Sequence, residues 1–220
     1  MERHLDQELA RLKEDLIRMA GLAETAIGLA VKSLVSRDAE LAKQVIASDE
    51  AINALEVEVD DLCLRIMALY QPEARDLRFL AMALKINNDL ERMGDQAVNI
   101  AERTLELLKE PLLKPLIDIP RMAAIVQTMM KDSLDAFVRQ DVELARSVCR
   151  RDDEVDRYDD QLFRELLTYM MEDPKAITRS VNLILISRHL ERIADHATNI
   201  AEDVVYLVQG RSIKHHMAGE

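Results

Sequence analysis

Two stretches of this 220-residue chain place carboxylates at the spacing that sets oxygen ligands side by side on a helix. Leu90-Glu91-Arg92-Met93-Gly94-Asp95-Gln96-Ala97-Val98-Asn99-Ile100-Ala101-Glu102 returns as Leu190-Glu191-Arg192-Ile193-Ala194-Asp195-His196-Ala197-Thr198-Asn199-Ile200-Ala201-Glu202. At roughly 100° per helical residue, Asp95, Asn99 and Glu102 fall within about 80° of Glu91, and Asp195, Asn199 and Glu202 repeat the stripe around Glu191. Ile86, Leu90, Met93, Ala97 and Ile100 centre on the opposite side, so the stripe is expected to face away from the core. Upstream, Asp49, Asn53, Glu56 and Asp60 share one face within about 60°, and Asp152, Asp156 and Asp159 share its counterpart. Clustered carboxylate and amide oxygens are the donor set of hard and borderline divalent cations. The plainer alternative is a solvated face, with Arg92 and Arg192 bridging Asp95 and Asp195 at i, i+3 for about 0.2–0.5 kcal/mol each. Against it, like charges at i, i+4 repel. The apolar positions also differ between the copies (Met93 against Ile193, Val98 against Thr198), while Glu, Asp, Asn and Glu are all kept.

The elements that must carry these stripes are helices. Apolar residues recur at three and four between the prolines Pro72, Pro111, Pro115, Pro120 and Pro174. They predict helices over about 5–36, 39–70, 73–109, 121–139, 142–172 and 175–208. The segment 111–120 holds three prolines and cannot continue a helix, so it reads as a linker. Short turns between long helices make antiparallel neighbours, and the expected class is all-α: two tandem three-helix bundles. The units are 1–110, the linker 111–120, 121–210 and a mobile tail 211–220. The halves are copies: Asp38-Ala39-Glu40-Leu41-Ala42 returns as Asp141-Val142-Glu143-Leu144-Ala145. A period near 100 residues is that of a duplicated bundle rather than a solenoid.

Composition narrows the function. Five Gly, five Pro, 3% aromatic residues and no Trp exclude collagen-like, all-β and low-complexity classes. With 29 Lys plus Arg against 41 Asp plus Glu, the net charge of -12 has the wrong sign for holding nucleic acid. Cys63 and Cys149 are unpaired by spacing and read as reduced, buried thiols of a cytosolic protein. No signal peptide pattern is present, and no apolar run is expected to span a membrane. His189 and His196 fall roughly 100° or more from the stripe and read as flank or interface residues. His215 and His216 lie in the tail, and the eleven Met residues read as adaptable core filler. Glu-x-x-His, needed for a ferritin-like di-iron site, is missing, as are a phosphate loop and any Ser/His/Asp or Cys/His set.

The paired Leu-Glu-Arg-x-x-Asp-x-Ala-x-Asn-Ile-Ala-Glu segments, Gln-Pro-Glu-Ala-Arg-Asp-Leu-Arg from Gln71 to Arg78, and Leu-Phe-Arg-Glu-Leu-Leu-Thr-Tyr-Met from Leu162 to Met170 resemble the PhoU family. Its members are accessory regulators of phosphate-specific transport. The resemblance implies a surface metal cluster on each bundle, of Fe, Zn, Mn, Mg or Ca, held by Glu/Asp-x-x-x-Asp pairs. Here those are Glu91 with Asp95 and Glu191 with Asp195, faced by Asp49 with Asn53 and Asp152 with Asp156. It also implies a homodimer and a cytoplasmic, non-enzymatic negative regulator. Such a regulator links the ATPase of the phosphate ABC transporter to a phosphate-sensing membrane histidine kinase. The first half departs from the pattern at Asn53, which supplies an oxygen but one charge fewer and predicts the weaker site, and the copies differ at Gly94 and Ala194. Two other classes compete: a metal-dependent phosphate-ester hydrolase, and a structural helical dimeriser with an unmetallated acidic face. The outward stripes, with no dry pocket, favour docking over catalysis.

Overall fold

Asp38 and Asp141 occupy the same place in the two copies and start the same helix in each. The Asp38 carboxylate accepts from the amides of Glu40 and Leu41, and that of Asp141 from Leu144. Each satisfies donors that the first helical turn leaves free. The residue just before each cap, Arg37 or Gln140, turns the chain with φ of 54°. In a computed structural model, which describes residues 2–211 and 213, these turns join α1 (Glu2–Ser36) to α2 (Ala39–Tyr70) and α4 (Asp118–Arg139) to α5 (Val142–Glu172). After α2 comes α3 (Ala74–Leu107); after α5, a 3-10 turn (Pro174–Ala176) leads into α6 (Ile177–Gln209). No strand occurs among the described residues.

The linker is shifted from its expected place. The third helix stops at Leu107 and the fourth begins at Asp118, so Pro120 sits inside the first turn of α4. There the missing amide costs nothing, because the first helical amides have no intrahelical acceptor. Of the tail, only Arg211 and Ile213 are described, and His215 and His216 lie outside the described residues.

α1 shows how the bundles are built: Leu12, Leu16, Met19, Ala23, Ile27, Ala30 and Leu34, at spacings of three and four, are all buried. The first three helices pack on one another, as do the last three, and α3 also lies along α6, with α1 against α4. Lys85 meets Asp203 while Gln96 meets His189, so α3 and α6 run antiparallel. One apolar cluster runs through both halves, which are thus bundles sharing a core. Cys63 and Cys149 are free and buried, as expected. One expectation needs correcting: the helix from His4 to Ser36 does contain a window long and apolar enough to cross a membrane, half of it buried inside the bundle. Its apolar side is the core-facing stripe just described.

Candidate metal centres on paired helices

The seams α2–α3 and α5–α6 bring the predicted carboxylates together. In the first half, Glu91 is half-buried on α3, and its carboxyl is pushed up by burial first, then by Asp95, with Glu56 and Asp49 of α2 adding and Arg92 opposing. Asn53 Nδ2 donates to Asp49 Oδ2 at 2.8 Å, one helical turn away. The Asp49 Oδ1 and Glu91 Oε2 atoms are buried and accept no hydrogen bond. Arg92 Nε stands 3.4 Å from that Glu91 oxygen, and its Nη1 is 3.3 Å from Asp95, the i, i+3 bridge expected from sequence. Gly94 permits the seam to close here: a Cβ at this position would sit 2.9 Å from Ile52 Cδ1 and 3.6 Å from Asp49 Oδ1.

The second half gathers a denser set. Asp152 is pushed up to about 6 by burial, then by Asp156 of its own helix and Asp195 of α6, while the nearby Thr198 hydroxyl offsets part of the effect. Asp156 is raised by burial and by Asp153 and Asp159. Asp195 is raised by burial and by Asp156, with His196 and Arg192 pulling it back. Glu191 is raised by burial and by Asp159 and Asp195, against Arg188. Here the oxygens have internal partners. Asp159, 2% exposed, accepts from Ser187 Oγ at 2.6 Å and pairs with Arg188 Nη1 at 2.9 Å. The same guanidinium reaches Glu191 at 3.3 Å. Arg188 escaped the sequence reading although it stands three residues before Glu191, the spacing of an i, i+3 pair. Its counterpart in the first half is Asn88.

Five predicted residues leave these groups. Asp60 accepts from Asn87 Nδ2 at 2.9 Å, an amide that also donates to the Glu56 carbonyl at 2.9 Å and so laces α2 to α3. Asn199 turns toward α3 and donates to Asp89 at 3.5 Å. Glu102 pairs with its neighbour Arg103 at 3.9 Å. Asn99 is half-buried farther along α3. Glu202 lies near Cys149, whose thiol burial and then Glu202 push up to about 11. The histidines fall at the α3–α6 seam, as expected. His189 Nδ1 meets Gln96 Oε1 at 2.8 Å and His196 Nδ1 meets Asp89 Oδ1 at 2.8 Å.

Among the described residues, no three His, Cys, Asp or Glu side chains converge tightly enough to hold an ion as they stand. The chemistry of the donors nonetheless fits a cation. Carboxylates that raise one another's pKa across a seam, and two buried oxygens that accept no hydrogen bond, are relieved by a positive charge placed among them.

The PhoU domain matches this chain twice, over residues 16–104 and 119–204. The chain is 49% identical over 211 residues to a phosphate-specific transport system accessory protein PhoU homolog of Aquifex aeolicus, with 96% of each chain covered. It is 43% identical over 216 residues to the homolog of Pseudomonas aeruginosa, covering 98% of this chain and 89% of that one. The crystal structure of PhoU from Pseudomonas aeruginosa superposes with a TM-score of 0.91 at 44% identity, over 94% of this chain and 99% of the other. That of the phosphate transport system regulatory protein PhoU from Streptococcus pneumoniae gives 0.88 at 32% identity, over 94% and 98%.

Proposed function

The chain belongs to the PhoU family, and on that premise we propose that it is a cytoplasmic, non-enzymatic adaptor that represses phosphate uptake and the phosphate-starvation response. Its relatives are named accessory and regulatory proteins of phosphate transport. The observation that carries the reading is the meeting of carboxylates from neighbouring helices at one seam in each half, with the buried Asp49 Oδ1 and Glu91 Oε2 accepting no hydrogen bond.

Asp49, Asn53, Glu56, Glu91 and Asp95 would hold an ion in the first half, and Asp152, Asp156, Asp159, Glu191 and Asp195 in the second. A divalent or iron ion held there would supply positive charge able to attract an outside oxygen ligand. The chain's own contribution is to fix the helices: Asn87 and Ser187 tie α3 to α2 and α6 to α5 beside each group. Through these faces the adaptor contacts the ATPase of the phosphate ABC transporter and the phosphate-sensing histidine kinase, as a homodimer.

Deleting the gene tests the role. Phosphate-responsive genes should be expressed at high phosphate in the deletion strain and silenced again on complementation. Repression that survives deletion would overturn the adaptor reading.

A further inference from the structure

A second site of opposite charge lies away from the acidic seams. Where the start of α3, the start of α1, the end of α6 and the α4–α5 turn meet, they leave an open cavity of about 560 Å³. That is within the size range of small-molecule sites, roughly 300–1,000 Å³. Lys13, Arg75 and Arg78 line it, from two different helices, together with the carboxylates Asp6 and Asp76.

The three cations are held by neutral groups alone. Arg75 Nη2 donates to Gln140 Oε1 at 3.3 Å. Arg78 Nη1 donates to the Leu207 carbonyl at 3.4 Å, with its guanidinium carbon 5.9 Å from the Tyr206 ring centre. Lys13 Nζ stands 5.1 Å from the centre of the Phe79 ring. No carboxylate among the described residues pairs with any of them, in a chain where 41 carboxylates outnumber 29 cations.

The opposite corner of the molecule supplies an internal control. There Arg37 donates to the carbonyls of Leu108 and Glu110 at 3.2 and 2.6 Å. Arg179 donates to the Pro111 carbonyl at 3.2 Å and pairs with the Glu110 carboxylate at 3.5 Å. The linker thus fills that corner and brings oxygen to both guanidiniums, whereas the α3 corner keeps its cations around open volume. The positive end of the 34-residue helix α3, whose N-cap Glu73 makes no side-chain cap, adds to the field there. Arg211 follows the end of α6 directly after Gly210.

We propose that this cavity binds the phosphoryl group of a small molecule. Two guanidinium forks and an ammonium match a tetrahedral dianion, since planar forks bind phosphate oxygens in pairs. The phosphoryl group alone is far smaller than the cavity. Leu9, Phe79 and Val208 give the cavity an apolar side suited to the organic part of a phosphate ester, while Asp6 and Asp76 leave the cations in excess by one. Gly210, whose φ of 68° disfavours a side chain, lets the end of α6 come close to Arg78: a Cβ there would stand 3.2 Å from Arg78 Nη1. This site is independent of any metal on the acidic seams.

The test uses the full chain, in chelator so that no metal bridges phosphate to the acidic seams, with inorganic phosphate and AMP as probes at matched ionic strength. Equilibrium dialysis and thermal shift should detect binding of one or both, and tighter binding of AMP identifies an ester as the source, while tighter inorganic phosphate identifies the free ion. The double substitution Arg75→Gln/Arg78→Gln should weaken binding by roughly tenfold or more, given the strength of hydrogen bonds to charged groups. Lys13→Gln should weaken it less, and Lys131→Gln, remote from the cavity, should leave it as in the wild type. If the double variant loses helicity by circular dichroism, Lys13→Gln alone decides. Failure of both probes to bind, or affinity retained in the arginine and lysine variants, overturns the proposal.

Discussion

Asp152→Asn should make the metal-free protein more stable, an unusual direction for a polar substitution at a half-buried site. The wild-type carboxyl rises from 3.8 to about 6 because burial, Asp156 and Asp195 all disfavour its charge. A folded-state pKa above the unfolded value means that the native protein binds this proton more tightly. The penalty therefore builds as pH rises from about 4, is complete above about 6, and is absent below both values. The difference between 3.8 and about 6 corresponds to about 3 kcal/mol. Solvent screening at a partly open site leaves about 1–1.5 kcal/mol of it. For a chain of this length that is a rise in Tm of about 2–6 °C. Thermal unfolding in chelator should show this gain at pH 7 and lose it near pH 4. Adding Mn²⁺ should reverse the order, because an ion that binds only the folded seam stabilises the wild type by mass action and the variant less. A lower Tm for Asp152→Asn at pH 7 in chelator, or a gain of equal size at pH 4, would refute the argument.

Asp156→Asn and Asp195→Asn should each lower the metal content of purified protein, and the double variant should lose less than the sum, because both belong to one cross-helix group; elemental analysis reads this directly. Gly94→Ala should cut ion affinity in the first half while moving Tm by less than about 4 °C, since the gain in helix propensity of about 1 kcal/mol opposes the contact with Ile52. Arg188→Gln should destabilise the metal-free protein by about 1–3 kcal/mol, because Asp159 keeps only Ser187, and should raise ion affinity in the second half; denaturant melts and ion titrations check the two parts.

The helices were legible because their signals are local. Prolines and the three-and-four spacing of apolar residues act within one or two turns, whereas the capping by Asp38 and Asp141 and the turns at Arg37 and Gln140 emerge only from the structure. Pro120 was misplaced for the same reason: a proline reads as a stop, and only the observed start at Asp118 shows that it lies in the tolerant first turn. The seams were legible as stripes, but a helical wheel cannot say which neighbour a flank residue meets. Asn199, about 80° from Glu191, was counted with the acidic stripe and instead serves α3 through Asp89. Arg188 was passed over because it interrupts the acidic pattern, although its position between Asp159 and Glu191 is set by the same spacing that found them. The cavity at the start of α3 had no sequence signal beyond the Gln71–Arg78 segment, since its walls come from residues more than one hundred positions apart.

The contact between α3 and α6 explains why two copies of one bundle need not behave alike. In an antiparallel pairing of repeated helices, each contact occurs twice: position 89 meets 196, and its copy 189 meets 96. Two identical bundles would make these contacts identical. Here Asp89 faces His196, whereas Gln96 faces His189, which burial and then Arg192 and Arg103 push down to about 4. The second pair therefore stays neutral at physiological pH, while the first joins a carboxylate to an imidazole that also lies beside Asp195. Asp195 therefore has an imidazole of the shared seam beside it, where its counterpart Asp95 has the neutral amide of Gln96. The same asymmetry recurs outside the seam, where Arg188 serves the second group and Asn88 stands in its place in the first. Duplication supplies the two carboxylate sets, and the unlike residues around them give each set its own charge balance and its own response to an ion.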